Sequence, residues 1–226
     1  MIVVRSVLPP DLKEPKERRS FVLKYGLTQK DFDRCKLLDG IKHLAPLRHF
    51  PQEVRRLEKT SDARLVATTE SYAKVNRFEM AAGRFLKDNE DQPEKGDDER
   101  SGNAIVLGAG VAKKLFPLEE PVGKTVVLNR HSFKVIGVIQ ERMPQKVAGQ
   151  TEDFDKDVYI PFATARAHYG ETVHIRRPRE RYGEQVELHQ IVITVANPER
   201  LRPLTEAIRE LLKKHHEKQD WDVTVR

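Results

Sequence analysis

Cysteine is almost missing from this chain: Cys35 is the one example in 226 residues. A lone thiol excludes an internal disulfide framework and a cysteine-built zinc site. Long apolar runs are missing too, and no window approaches the ~18 consecutive apolar residues of a membrane-spanning helix. The opening MIVVRSVLPP has no basic stretch followed by an extended apolar core, so no secretory leader is expected there. Aromatics, at 7%, are too few to interleave with basic residues as base-stacking platforms, so no nucleic-acid partner is expected. None of the eight histidines forms a His-x-x-x-His pair, and the adjacent His215 and His216 point to different sides of a helix. No Ser/His/Asp set occurs in a Gly-x-Ser-x-Gly context. These absences leave an ordered α and β chain with no legible catalytic, cofactor or metal centre.

What is present is charge, unevenly spread. The net charge of +6 hides an acidic stretch from Lys87 to Arg100, with seven acids against three bases and no apolar residue, which reads as a solvated loop. From His174 to Tyr182 the balance reverses, with Arg176, Arg177, Arg179 and Arg181 against one glutamate. That run is either a solvated connector between folded pieces or a contact for anionic surfaces such as phosphate-bearing headgroups.

Hydrophobic patterning gives the elements. Ile2 to Val7 reads as a short strand. Thr28 is an N-cap, Asp31 sits in capping-box position, and Leu27 with Phe32 forms a staple. A helix is therefore expected with Phe32, Cys35 and Leu38 inward and an end at Gly40. Cys35 belongs to that apolar face, as core and not nucleophile. Ile41 onward reads as a long bent strand in which Pro46 and Pro51 force bulges or an edge position. Thr60-Ser61-Asp62 reads as a turn, Ala63–Thr68 as a second strand, and Thr69 as the cap of a helix carrying Tyr72 and Val75. Met80 to Leu86 is extended, Asn103–Leu107 is a buried strand, and Gly108–Phe116 a short helix. A strand pair follows at 125–128 and 133–139, then a strand ended by Pro161 and a helix over 163–169. Val186–Ala196 is a strand. Asn197-Pro198-Glu199 opens a helix with Leu201, Leu204, Ile208 and Leu211 inward, and residues 222–225 close the chain as a strand.

Two glycine strings suggest nucleotide chemistry. AIVLGAGVAKKLF places Gly108-x-Gly110 between a strand and a helix, as in a dinucleotide fingerprint, and Asn129-Arg130 suits a 2′-phosphate. An NADP-dependent oxidoreductase is the alternative function on that basis. Lys113 in the third glycine position and the absence of alternating βαβ units count against it. Gly123-Lys124-Thr125 lacks the glycine that a P-loop needs five positions earlier, where Leu118 stands.

The middle of the chain, taken in order, resembles a known family. Its elements are Thr69-x-x-Tyr72, Ala82-Gly83-Arg84-Phe85, the acidic loop, IVLGAGVAKKLFP over 105–117, Pro121-Val-Gly123-Lys124-Thr-Val126, the Phe133–Ile139 strand with Gly137, and Val158-Tyr-Ile-Pro161. No one element is specific, but the ordered set looks like the MacB-like periplasmic core domain of FtsX-type ABC transporter permeases. Ala73, where that family usually has an aromatic, departs from the pattern.

The resemblance implies an α+β fold. A porter-like βα subdomain would be built from both chain ends, 1–62 and 185–226, with a β-rich sabre-like insert over 63–184. It makes Tyr72, Gly83, Arg84, Gly108, Pro121, Gly123, Lys124, Gly137 and Pro161 structural motif residues, and the Gly108 turn a cofactor-free strand–helix junction. It also implies a non-catalytic domain outside the inner membrane, between the first two membrane helices of a permease. The chain would then be a piece of a longer protein, with Met1 an added start residue. Its partners would be a cytoplasmic ATPase subunit, a second permease copy and a periplasmic adaptor or substrate protein. A lever of this kind needs both ends in one helix bundle, so the first and last strands are expected side by side, with Met1 and Arg226 within ~10–15 Å.

Overall fold

The structure, a computed structural model, describes residues 1–9, 22–88, 103–147, 150–170 and 183–226. In chain order its elements are β1 (Ile2–Ser6), β2 (Val22–Lys24), α1 (Gln29–Cys35), β3 (Ile41–Arg56), β4 (Lys59–Thr68), α2 (Glu70–Asn76), β5 (Met80–Gly83), β6 (Ala104–Leu107) and α3 (Ala109–Leu115). β7 (Thr125–Leu128), β8 (His131–Ile139), β9 (Gln145–Val147), β10 (Gln150–Glu152), β11 (Asp157–Pro161) and α4 (Phe162–Tyr169) follow. The last are β12 (Gly183–Gln185), β13 (Gln190–Val195), α5 (Leu201–His215) and β14 (Trp221–Val225). The chain divides into two units: Met1–Arg48 with Tyr169–Arg226, and His49–His168. These boundaries fall at 48/49 and 168/169, not at 62/63 and 184/185, because β3 is a 16-residue strand that gives its first half to one unit and its second half to the other.

In the first unit, β1 runs between β14 and β13, antiparallel to both. Ile2, Val3 and Val4 form an unbroken apolar run and are all buried, and since successive strand residues point to opposite faces, β1 is covered on both. The first half of β3 pairs β13, with Pro46 opposite Ile191. The one register shift in that ladder falls at Thr194/Val195, so Pro46 makes no bulge against β13. A proline loses a donor but keeps its carbonyl and an extended backbone, and a long ladder tolerates one missing bond. α5 lays Leu204, Ile208 and Leu212 inward, an i, i+4, i+8 stripe, and this puts Leu212 in the place expected of Leu211. Its Arg209 donates to the Val223 carbonyl of β14 at 3.2 Å. α1 ends at Cys35, before Leu38, and a turn carries the chain to Gly40. β13 is shorter than its apolar run predicts, because Leu188 leaves it to bridge Leu27. The parallel β2–β12 pair gives no sequence signal at three residues a strand.

In the second unit the strand ladder closes on itself. β3 neighbours β4, which pairs β11, then β6, β8 and β7, and β7 returns to β3 through Val54↔Leu128 and Arg55↔Val127. Closure removes free edges, and β5 is attached outside the ring along β8. Leu65, Ile105, Val126, Leu128, Phe133, Val135, Val158 and Ile160 are buried in this unit. The β3–β4 reversal lies at Leu57-Glu58, with Leu57 in the left-handed region at φ 51°, so Thr60-Ser61-Asp62 belongs to β4. Thr, Ser and Asp are frequent in turns for their local hydrogen bonds, but in this segment the strand ladder prevails over that local preference. The β9–β10 hairpin was likewise not legible. Among the described residues no helix is long and apolar enough to cross a membrane.

Candidate functional site

The Gly108 turn decides the nucleotide question. Gly108 N–H donates to the Asp157 carbonyl at 2.8 Å. A Cβ on Gly108 would lie 2.4 Å from the Phe154 carbonyl oxygen and 2.7 Å from that of Asp155, and one on Gly110 would lie 3.0 Å from the latter. The protein's own 154–156 turn, with its carbonyl oxygens, therefore fills the space where a pyrophosphate would approach. Lys113 is exposed and pairs with Glu141 at 2.6 Å. Because β6 and β8 run parallel, Gly108 follows the Leu107↔Val138 pair while Arg130 precedes the other end of β8. Eight strand residues separate them, roughly 25 Å at ~3.3 Å each. The dinucleotide reading fails on this geometry: these glycines serve close packing.

Gly83 and Gly137 are register partners on β5 and β8. A Cβ on Gly137 would stand 2.2 Å from the Arg84 carbonyl oxygen, and one on Gly83, at φ 68°, 2.2 Å from that of Ile136. Arg84 N–H donates to the Ile136 carbonyl at 3.0 Å. Only two residues without side chains let these backbones approach so far. Pro121 and Lys124 close a turn, with Lys124 N–H on the Pro121 carbonyl at 3.1 Å and Gly123 at φ 85°; the Lys124 side chain is exposed, 3.9 Å from Glu119. Pro161 ends β11 past its last pair with β6, where no donor is required.

Tyr72 is buried in an aromatic cluster, with Phe78 at 5.7 Å edge-on and Tyr159 at 6.0 Å. Phe78 also meets Phe154 at 5.2 Å and Tyr159 at 5.6 Å. Under the cluster, Arg64 clamps Asp157 through two bonds of 2.8 and 2.7 Å, and the Tyr159 hydroxyl lies 3.2 Å from the same carboxylate. Burial pushes the Asp157 carboxyl above its usual range against the pull of the Arg64 guanidinium. Burial, then the Asp157 charge, pushes the Tyr159 hydroxyl well up. This is a charge clamp that ties β4 to β11, with the Asp157 carboxylate buried and the Arg64 side chain part-exposed.

In the first unit the capping box forms as expected: Thr28 Oγ accepts from Asp31 N–H at 3.3 Å, and Asp31 Oδ2 accepts from Thr28 N–H at 2.8 Å. The sequence did not reveal that His216, at the end of α5, puts Nε2 3.1 Å from Asp31 Oδ2 and Nδ1 2.7 Å from Asp220 Oδ1. Asp220 Oδ2 in turn accepts from Gly26 N–H at 2.6 Å. A cavity of about 610 Å³ opens beside this network, lined in part by Leu23, Lys30, Arg34 and Glu187. Its buried carboxylates are engaged internally, so it presents no free acid or base of that kind. Cys35, beneath, is fully buried, and burial with the nearby Asp31 charge pushes its thiol up to about 12. A thiol so placed is not a nucleophile. Among the described residues no group of three ligating side chains could hold a metal.

Burial acts to raise the Asp31 pKa, but the Thr28 bonds and His216 outweigh it, so the carboxyl sits below its ordinary 3.8. A depressed carboxylate adds stability above the unfolded value and loses it as pH falls through the folded one. Asp31→Asn is expected to cost about 1–2 kcal/mol at pH 7. The gap to the parent should close below pH 3.8. Urea unfolding at pH 7, 5 and 3 reads it, and a gap constant across that range would show that Asp31 does not carry the linkage.

The two chain ends meet. Ile2 lies opposite Val225 and Ser6 opposite Trp221. The Met1 amine donates to the Arg226 carbonyl at 2.9 Å, and Arg226 N–H to the Met1 carbonyl at 2.8 Å. This is the adjacency expected from the resemblance, closer than anticipated. Arg176, Arg177, Arg179 and Arg181 lie outside the described residues, as does nearly all of the acidic stretch.

Residues 4–211 match the family model described as the MacB-like periplasmic core domain. A macrolide export ATP-binding/permease protein MacB from Nitrobacter winogradskyi is 29% identical over 86% of this chain and 27% of its own length. The chain thus spans about a quarter of the relatives it matches first. Two solved structures share the fold. The extracellular domain of the noncanonic ABC-type transporter YknZ from Gram-positive bacteria has TM-score 0.68 and 21% identity, covering 99% of both chains. The periplasmic region of MacB from Actinobacillus actinomycetemcomitans has TM-score 0.69 and 19% identity, covering 99% of this chain and 87% of that one.

Proposed function

The chain belongs to the MacB-like periplasmic core domain family, and on that premise we propose that it is the stiff extracytoplasmic arm of an ABC transporter permease. The arm sits on the outer side of the inner membrane and catalyses nothing. ATP binding and hydrolysis on a cytoplasmic ATPase subunit move the paired permease copies, and the movement reaches the arm through its two ends. The observation that carries this reading is the β1–β14 pairing, which brings both chain ends together at one end of a shared ladder. A load applied at either end enters a continuous ladder, with β1 buried between two strands, instead of a flexible tether. The unit built from both chain ends is the porter-like subdomain and the His49–His168 unit the sabre-like insert. The insert would face a periplasmic adaptor or substrate protein. The motif residues from Tyr72 to Pro161 hold the fold, and Arg176, Arg177, Arg179 and Arg181 are the candidates for contact with anionic headgroups.

The parent permease, reconstituted with its ATPase, tests this. Four Gly/Ser residues inserted between β14 and the following membrane helix add about 11 Å of slack. Substrate export is expected to fall about tenfold or more while ATP hydrolysis persists. Export unchanged by the insertion would overturn the lever.

A further inference from the structure

The end of the first unit's ladder that carries both chain ends also gathers exposed cations and exposed apolar side chains. The registers place it: Ile2 pairs Val225 and Ile193, and Val195 pairs Ile41. Ala196 N–H donates to the Gly40 carbonyl at 2.9 Å, and a Cβ on Gly40 would lie 2.9 Å from Arg200 Cδ. Lys42, Arg200 and Arg202 are exposed there, and among the described residues none of the three side chains has an ion-pair partner. Asp39 and Glu199 are the exposed acids of the same stretches, so bases prevail; Lys36, a fourth cation, is held 3.5 Å from Asp33. Between Lys36 and Lys42 the turn after α1 shows Leu37, 83% exposed, and Val225 on β14 is 45% exposed. A free phosphate or an acidic peptide would use the cations and leave Leu37 in water. A bilayer interface takes both, with headgroup phosphate on the cations and the leucine at the acyl boundary.

We propose that this end of the first unit docks on a bilayer bearing anionic headgroups, with Lys42, Arg200 and Arg202 on the phosphates and Leu37 in the interface. Arg200 is the N-cap of α5 and Arg202 stands in its first turn, where no acid is found. A cation there opposes the positive end of the helix dipole, so the helix itself gains nothing from either arginine. The long arginine and lysine stems reach sideways to the headgroup level while the backbone stays in water. The choice of a bilayer rests in part on the transport reading, in which both ends lead into membrane helices. Vesicle binding and substrate export are separate measurements, so either can fail alone.

Leu37→Cys carrying an apolar, environment-sensitive dye reads the contact, since Cys35 is fully buried and stays unlabelled. With phosphatidylglycerol vesicles at low salt, the dye emission is expected to shift to the blue and saturate, and to return as salt is raised. Phosphatidylcholine vesicles should give no saturable shift. The same dye on Val7→Cys, just past the other end of β1, should stay in water. Apparent affinity is expected to fall about fivefold in Lys42→Gln and about twenty-fivefold in Arg200→Gln/Arg202→Gln, roughly fivefold for each cation removed. These side chains are exposed, so the variants should keep the parent's circular dichroism. No shift on phosphatidylglycerol, equal affinity for phosphatidylcholine, or undiminished binding in the double variant would overturn the proposal. So would a shift at position 7 without one at position 37, which would mean docking through another surface. Inorganic phosphate that displaces the vesicles better than chloride at equal ionic strength would reveal a free-anion site and overturn it too.

Discussion

Gly137→Ala is expected to destabilise the protein by about 3 kcal/mol, at the upper end of overpacking costs, for the addition of a single methyl group. The new Cβ would lie 2.2 Å from the Arg84 carbonyl oxygen, 2.7 Å from the Met80 methyl and 2.9 Å from the Arg84 carbonyl carbon. Two of those atoms are backbone, so relief requires β5 to move away from β8, with loss of the Gly83↔Gly137 pair and of the Arg84–Ile136 hydrogen bond. Gly123→Ala is the control. Nothing lies within 4 Å of its added Cβ, but its φ of 85° remains, so the strain alone should cost about 1 kcal/mol. Urea unfolding followed by circular dichroism separates the two, and equal midpoints for Gly137→Ala and the parent would deny the close approach.

Arg64→Met should be nearly as damaging, about 3 kcal/mol at neutral pH, because it leaves the Asp157 carboxylate buried without its partner. Asp157 is 1% exposed and would retain only the Tyr159 hydroxyl among the bonds described above. The sign of the pH dependence follows. A carboxyl whose folded pKa is raised makes the folded state bind protons more tightly, so stability falls as pH rises from the unfolded value toward the folded one. Removing Arg64 raises that pKa further. The gap to the parent should therefore be largest near pH 7 and smallest below 3.8, the ordinary value. Adding Asp157→Leu should recover part of the loss, since an apolar pair of similar volume replaces an orphaned charge. A gap independent of pH would show that the lost packing of the Arg64 stem, and not the stranded charge, accounts for the effect.

Signals confined to neighbouring residues were legible. The Thr28–Asp31 box, the strand-to-helix step at Gly108 and the β7–β8 hairpin each depend on contacts within a few positions, and each lies where the residues put it. Contacts between distant positions were not. The Leu57 reversal carries no turn chemistry in its residue types, because the ladder on either side imposes a left-handed leucine. His216 read as one of an uninformative adjacent pair until α5 placed it 185 positions from Asp31 and within hydrogen-bond reach of it. The glycine string at 108–110 was ambiguous for the same reason. Whether phosphate or protein faces that turn depends on the 154–156 segment, which nothing local specifies.

Residue order by itself determined most of the strands and helices, β2, β9, β10 and β12 excepted, that Cys35 is core, and that the motifs from Tyr72 to Pro161 follow the pattern of one family, since local propensity and side-chain period act over short distances. Three-dimensional packing alone decided that the second unit's ladder closes into a ring, that β3 serves both units, and that two glycine backbones touch. Each of those is a choice among partners for hydrogen-bonding edges and apolar faces. Such a choice is made by mutual burial of segments far apart in the chain, and no window of residues contains it.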